Sequence, residues 1–379
     1  MRHYLDHAAS SPLRPAAAEA WAEAAALTGN PSSTHAAGRQ ARARLEDARE
    51  QLADAVVAHP SEVVFTSGGT EADNLAVLGV AASARADGPA RLATSTVEHP
   101  AVHDAVASLG ERALWLGVDA DGVVTADALA GLSPGVALVS VMAVNNETGT
   151  VQPLDAVVDA VRRVGAVAHS DGVQALGHVP LDFAASGLDL LSLSAHKLGG
   201  PVGVGALIVR RGVRLAPTGF GGGQEARLRS GTVPVALAAG FAAAAAQAVA
   251  ERSSEAARLG ALRAELAAAV RALPDTTVNG GVHVSPAICH VTFRGCRADD
   301  LLLLLDAAGI DCSTGSACTA GVHQPSRVLL AMGRPEADAT ASLRFSFGPT
   351  TTAADIRALT QALPGVVATA RAATGSGGT

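Results

Sequence analysis

The sequence predicts an α/β fold: a mostly parallel β-sheet covered by helices on both faces, followed by a smaller α+β domain. Three observations predict it. Short β-branched or apolar runs alternate with alanine-rich stretches of helical spacing through the first part of the chain. Beyond Val233 that alternation gives way to a long helical region and then a mixture of strands and helices. A chain of 379 residues with 49% hydrophobic content also buries a large core and favours division into two domains.

Taken in order, residues 62–66 read as a strand, followed by a helix through Leu75 and Leu78. Residues 92–96 precede a helix around 102–109, and residues 136–144 precede a helical stretch at 154–164. Runs at 167–170, 188–193 and 204–209 complete the strand series. The alanine-rich helical region then extends to about Leu273, with an interruption expected near Arg252-Ser253-Ser254. Strand-like 288–293, helical 299–308 and strand-like 342–347 follow, and the Gly/Ser-rich end of the chain reads as a flexible tail.

Net charge is −7, with the charges scattered, which argues against nucleic acid or an anionic membrane as a direct partner. The first residues hold no apolar signal core, and the most apolar long stretch, 233–250, is mostly alanine and carries Gln247. Both features predict a cytoplasmic protein without a membrane span. Cys289, Cys296, Cys312 and Cys318 form no C-x-x-C pair and have no histidine at zinc-finger spacing, so reduced thiols and no metal site are expected.

Of 28 basic residues, only Lys197 is a lysine; the other 27 are arginines. Guanidinium serves solubility and ion pairing, but it stays protonated and cannot attack a carbonyl to form a Schiff base. Compositional drift would leave a lysine anywhere, so the surroundings of Lys197 decide between drift and function. It follows a strand in Ser194-Ala195-His196-Lys197. Other strand ends carry polar groups as well: Ser67-Gly68-Gly69-Thr70-Glu71, Glu98-His99-Pro100, Asn145-Asn146-Glu147, and Asp171 with Gln174. The glycine-rich turn opening a helix suits a phosphate or is a simple helix cap. Asp171 suits a pyridine nitrogen or is a turn aspartate. His99 suits a ring stack or proton transfer, or is structural. Four such constellations at parallel strand ends form a convergent pattern.

The segment from Ser313 to Gly321 is nearly all small residues and carries one thiol, Cys318; Cys312, beside apolar Ile310, competes as the reactive one. Arg344 lies in a strand of alternating apolar residues, where it holds a substrate carboxylate or faces solvent.

These motifs together resemble the cysteine desulfurases, NifS/IscS-like members of the class V aminotransferase group. The resemblance runs from Tyr4-Leu5-Asp6-His7-Ala8-Ala9 through Asn30-Pro31-Ser32-Ser33 and Ser194–Lys197 to the strand around Arg344, over essentially the whole chain. It implies a fold type I transferase dependent on pyridoxal 5'-phosphate, with a seven-stranded sheet. The large cofactor-binding domain would span 15–250, the small domain 1–14 and 251–370 with the cysteine loop, and the tail 371–379. It implies that Lys197 holds the cofactor and shuttles the Cα proton, and that Asp171 meets the ring nitrogen. Gln174 and Asn146 would meet the ring hydroxyl region, and His99 would stack on the ring. Gly69, Thr70, Ser194 and His196 would hold the phosphate, joined by Thr232 from the partner subunit of a homodimer. Arg344, with Asn146, would hold the carboxylate of L-cysteine. Cys318 would take the sulfur as a persulfide and pass it to an acceptor protein, a scaffold or a thiolation enzyme. A selenocysteine lyase, an aminotransferase of the same fold and a non-catalytic cofactor-binding scaffold are the alternatives; Cys318 separates the desulfurase from an aminotransferase.

Overall fold

The computed structural model describes residues 2–84, 90–315 and 324–376. Seven strands form the main sheet in the spatial order Val63–Thr66, Gly205–Val209, Leu190–Ser194, Val167–Asp171, Val136–Ser140, Arg91–Ser95, Ala113–Leu116. All pairs are parallel except the two made by Gly205–Val209, which runs against both neighbours. The central strands are buried on both faces, which is why they read as continuous apolar runs. The seventh strand, Ala113–Leu116, escaped the pattern because it lies at the sheet edge, with Trp115 42% exposed and only four residues of signal. The expected strand 136–144 stops at Ser140; Val141–Val144 stay buried but leave the ladder and carry the chain over the sheet edge to Asn145.

The second sheet is antiparallel and three-stranded, in the order Thr276–Asn279, Ile288–Phe293, Ser342–Ser346. The chain's first residues join this part: His3 and Tyr4 pair with Ile310 and Asp311, and Asp6 bridges to Ser346. A helix over Ala353–Ser376 packs on the same core, so residues 371–376, expected in a flexible tail, are helical.

One helix, Val235–Arg271, runs unbroken through the expected interruption at 252–254. Serine is tolerated there because its hydroxyl can bond back into the helix, as Ser254 Oγ does to the Glu251 carbonyl at 2.9 Å. The N-terminal half lays Ala238, Ala242 and Ala245 into the core beneath the main sheet, while Leu259, Leu266 and Val270 enter the core of the second sheet. Two cores thus share one rigid rod. Alanine on the first half lets helices Pro15–Ala25 and Ala36–Val56 approach closely. Among the described residues no helix is long and apolar enough to cross a membrane.

Replacing the fully buried Ala244 by leucine is expected to overpack this contact and destabilise the protein by about 1–3 kcal/mol. A lower denaturant midpoint checks it, and an unchanged midpoint contradicts the close packing.

Candidate active site

A cavity of about 680 Å³ lies at the C-terminal ends of the parallel strands, the edge at which ligands enter open α/β sheets. Its wall holds Gly69, Thr70, His99, Asn146, Asp171, Gln174, Ser194, His196, Lys197 and Arg344. Ten residues singled out from six separate stretches of sequence therefore meet in one place.

Lys197 follows the strand Leu190–Ser194 in a single 3₁₀ turn. Its Nζ donates to the carbonyls of Ala8 at 2.7 Å and Ala9 at 2.8 Å. Burial, and then the Arg344 guanidinium, lower its pKa to about 8, against the opposing pull of Asp6 and Asp171. The amine is thus far easier to deprotonate than an ordinary lysine, the property a carbonyl-attacking group needs.

Asp171 ends its strand buried, with Oδ1 accepting from the Val173 amide at 2.8 Å. Burial raises its pKa, while His99, the Val173 amide and Lys197 favour its anion. His99 caps the helix Pro100–Ala107: its Nδ1 accepts from the Ala101 amide at 3.1 Å. That acceptor role places the ring proton on Nε2, and burial lowers the pKa, so the ring is neutral. Burial also holds His196 near 4.

Gly69 and Thr70 form the first turn of the helix Gly69–Ala84, whose free amides favour an anion. A Cβ on Gly69 would come within 2.9 Å of a Val173 methyl group and 3.5 Å of Ser194 Cβ, so glycine keeps this corner open. The Ser194 hydroxyl is buried in the same corner with no hydrogen-bond partner, a donor set suited to a phosphate.

Arg344 is 4% exposed, which excludes the solvent-facing alternative. Its guanidinium donates to Asp6 Oδ1 at 2.9 Å and to the Asn146 carbonyl at 2.8 Å, and its Nε has no partner. The Asn146 contact with Arg344 is therefore through the backbone. Gln174 Nε2 donates to the Ala8 carbonyl at 2.9 Å, the same oxygen that receives Lys197.

The sequence model of the aminotransferase class-V family matches residues 3–359. An IscS-like cysteine desulfurase of Mycobacterium tuberculosis (strain ATCC 25618 / H37Rv) is 50% identical over 382 residues, covering 98% of this chain and 97% of that one. A solved NifS-like protein superposes with a TM-score of 0.89 at 32% identity, covering 97% of this chain and 99% of the other. A structure titled SspA in complex with cysteine gives 0.81 at 32% identity, covering 93% and 100%. The chain belongs to the class-V aminotransferase family. Within it, the curated relatives are cysteine desulfurases, enzymes of the sulfurtransferase type, and pyridoxal phosphate is a general property of the family.

Thr232 is exposed and does not line the cavity of its own chain. Cys318 lies outside the described residues, but the chain enters that stretch at Gly315 and leaves it at Gln324, both in the cavity wall. The other three cysteines are poor thiolates: burial raises Cys289 to about 11 and also raises Cys296, and burial with Asp6 and Asp311 raises Cys312. At the competing candidate Cys312 burial and two carboxylates thus oppose the thiolate.

Sequence reasoning missed Asp73, and gave no role of their own to Asp6, Ala8, Ala9, Glu98 and Glu147, which it met only inside motifs. Glu98 and Asp73 carried a usable signal, an acidic residue beside a strand end and one inside an otherwise apolar helix. The two alanines carried none, because they act through backbone carbonyls.

In the cofactor-free protein, reaction of Lys197 with a simple aldehyde is expected to rise with pH to a midpoint near about 8, since only the neutral amine attacks. Reduction with borohydride and peptide mapping checks it. A midpoint near the ordinary lysine value of about 10.4 would contradict the burial argument.

Proposed function

We propose that this chain is a pyridoxal-phosphate-dependent cysteine desulfurase converting L-cysteine to L-alanine, with the sulfur retained as a persulfide on Cys318. The observation that carries the reading is the sole lysine, uncharged at mildly alkaline pH, between a buried carboxylate at a strand end and a buried arginine. The donor set fits the cofactor. Lys197 offers the amine that would hold it, and Asp171 would meet its ring nitrogen. Gly69, Thr70, Ser194 and His196 would hold its phosphate, and His99 would stack on its ring. Gln174 and Asn146 would serve the ring hydroxyl side. Pyridoxal phosphate, when bound, supplies an electron sink for charge developing at the substrate's Cα.

The chain's own residues do the rest. Arg344 offers its unpartnered Nε to the substrate carboxylate, where a planar fork gives geometric as well as electrostatic selection. Lys197 moves the Cα proton, a task for which a pKa of about 8 suits an amine. The Cys318 thiolate attacks the substrate sulfur: the S–S bond forms as the C–S bond breaks, and the carbon accepts a proton to become alanine. Cysteine and one thiol are consumed, alanine and one persulfide are formed, and no external oxidant is needed. Persulfide sulfur then passes to an acceptor protein. The division into a large domain over 15–250 and a small one over 1–14 and 251–370 belongs to the same reading.

A homodimer completes the site in this reading, with Thr232 reaching the partner's phosphate corner. Thr232 and Phe220, the latter 90% exposed, lie on the outward surface, which supports such pairing. Dilution below the dimer's dissociation constant should lower cofactor affinity, and Thr232→Ala should lower it in the dimer.

Three substitutions test the chemistry. Lys197→Ala and Lys197→Arg should both abolish the visible absorption of lysine-bound cofactor; a reducible covalent cofactor in either would overturn the assignment. Cys318→Ala should lose sulfide release from cysteine, read by alanine and sulfide assays. Turnover at the wild-type rate without added thiol would instead favour an aminotransferase-like activity. Arg344→Lys should raise KM for cysteine by about tenfold or more, because one bidentate charge-assisted contact is lost.

A further inference from the structure

The cavity floor holds more carboxyl groups than the chemistry above uses. Asp73 projects from the helix Gly69–Ala84 and is 1% exposed. One of its oxygens, one of Asp171 and a ring nitrogen of His99 all lie within 4.8 Å of one another. Glu98 is buried beside them, with one oxygen accepting from the Ser95 hydroxyl and the Met142 amide and the other unpartnered. Burial raises Glu98 to about 8, so at neutral pH it carries its proton.

Two carboxylates buried this close oppose each other's ionisation, and the surroundings select which one carries the charge. Asp171 receives the Val173 amide and has the Lys197 ammonium to favour its charge. Asp73 has only the Ser192 hydroxyl on its side, while burial and the Asp171 charge both work against its anion. Its Oδ1 accepts no hydrogen bond. The nearest ring, His169, is 3.7 Å away and supplies no charge. Burial holds that imidazole near 3, and its two nitrogens are engaged by the Ser140 and Ser192 hydroxyls at 2.8 and 3.0 Å.

We propose that Asp73 is a positioning residue: it stands beside Asp171 as a neutral carboxylic acid and leaves Asp171 the one anion facing the ring nitrogen of the cofactor. The inference rests on the pyridoxal reading of the cavity. Asp73 stands in the cavity wall and acts through Asp171, by offering it a proton donor and by adding no second charge.

Two variants and two measurements test it. Asp73→Asn keeps the shape, the neutrality and a donor; Asp73→Leu keeps the bulk and removes the donor. In cofactor-free protein at neutral pH, the infrared difference between wild type and Asp73→Asn should show loss of a protonated-carboxyl band. In titrations with pyridoxal phosphate followed by absorbance, Asp73→Asn should bind within about twofold of wild type and Asp73→Leu about tenfold or more weaker. No lost carboxyl band overturns the proposal, as does Asp73→Asn binding as weakly as Asp73→Leu, or Asp73→Leu binding like wild type. If Asp73→Leu does not fold, the infrared difference and the Asp73→Asn titration decide. A wild type that takes up no cofactor would sink the proposed function instead, while the infrared result would still decide the protonation of Asp73.

Discussion

A lysine amine is unfavourable to bury in its charged form, and the site is organised around that constraint. Lys197 is withdrawn from water at the end of a central strand and given two carbonyl acceptors, Ala8 and Ala9. Those carbonyls belong to the segment whose Asp6 bridges to Ser346 in the second sheet. Asp6 also holds Arg344, and Arg344 depresses the lysine further. One amine therefore ties the main sheet, the N-terminal segment and the second sheet into a single electrostatic unit. Loss of any of the three would change how readily the amine gives up its proton.

The same logic sets the rest of the cavity. Burial lifts the carboxyl groups and lowers the imidazoles, so most titratable groups near the floor are neutral. Charge is matched where a donor or a counter-charge stands next to it: the Val173 amide at Asp171 and the Asp6 carboxylate at Arg344. The corner at Gly69, Thr70 and Ser194 offers backbone amides and hydroxyls instead of side-chain cations, a set suited to an anion, and the glycine there keeps the approach open. Arg344, Gly315 and Gln324 close the cavity wall on the side of the second sheet.

Much of this was legible in the sequence, for identifiable reasons. Buried parallel strands read as apolar runs, so six of the seven strands of the main sheet stood out, and their polar ends marked the cavity edge. A composition that spared a single lysine pointed to the one residue whose chemistry arginine cannot copy. Less visible were features whose signal is short or shared. The edge strand Ala113–Leu116 has four residues and one solvent face. The serines at 253 and 254 looked like a break because serine favours turns, yet packing on both halves of the long helix outweighs so small a preference.

The sequence by itself determined the kind of chemistry, because an amine, a strand-end carboxylate and a thiol among small residues are chemical identities that no fold can supply. Only the tertiary structure decided their states. Whether Arg344 is exposed or buried, how far Cys312 resists ionisation, and how strongly Asp73 and Asp171 oppose each other's charge all depend on dielectric and distance. Those quantities are set by which segments meet, and residues 6, 73, 98, 171, 197 and 344 meet only in the folded chain.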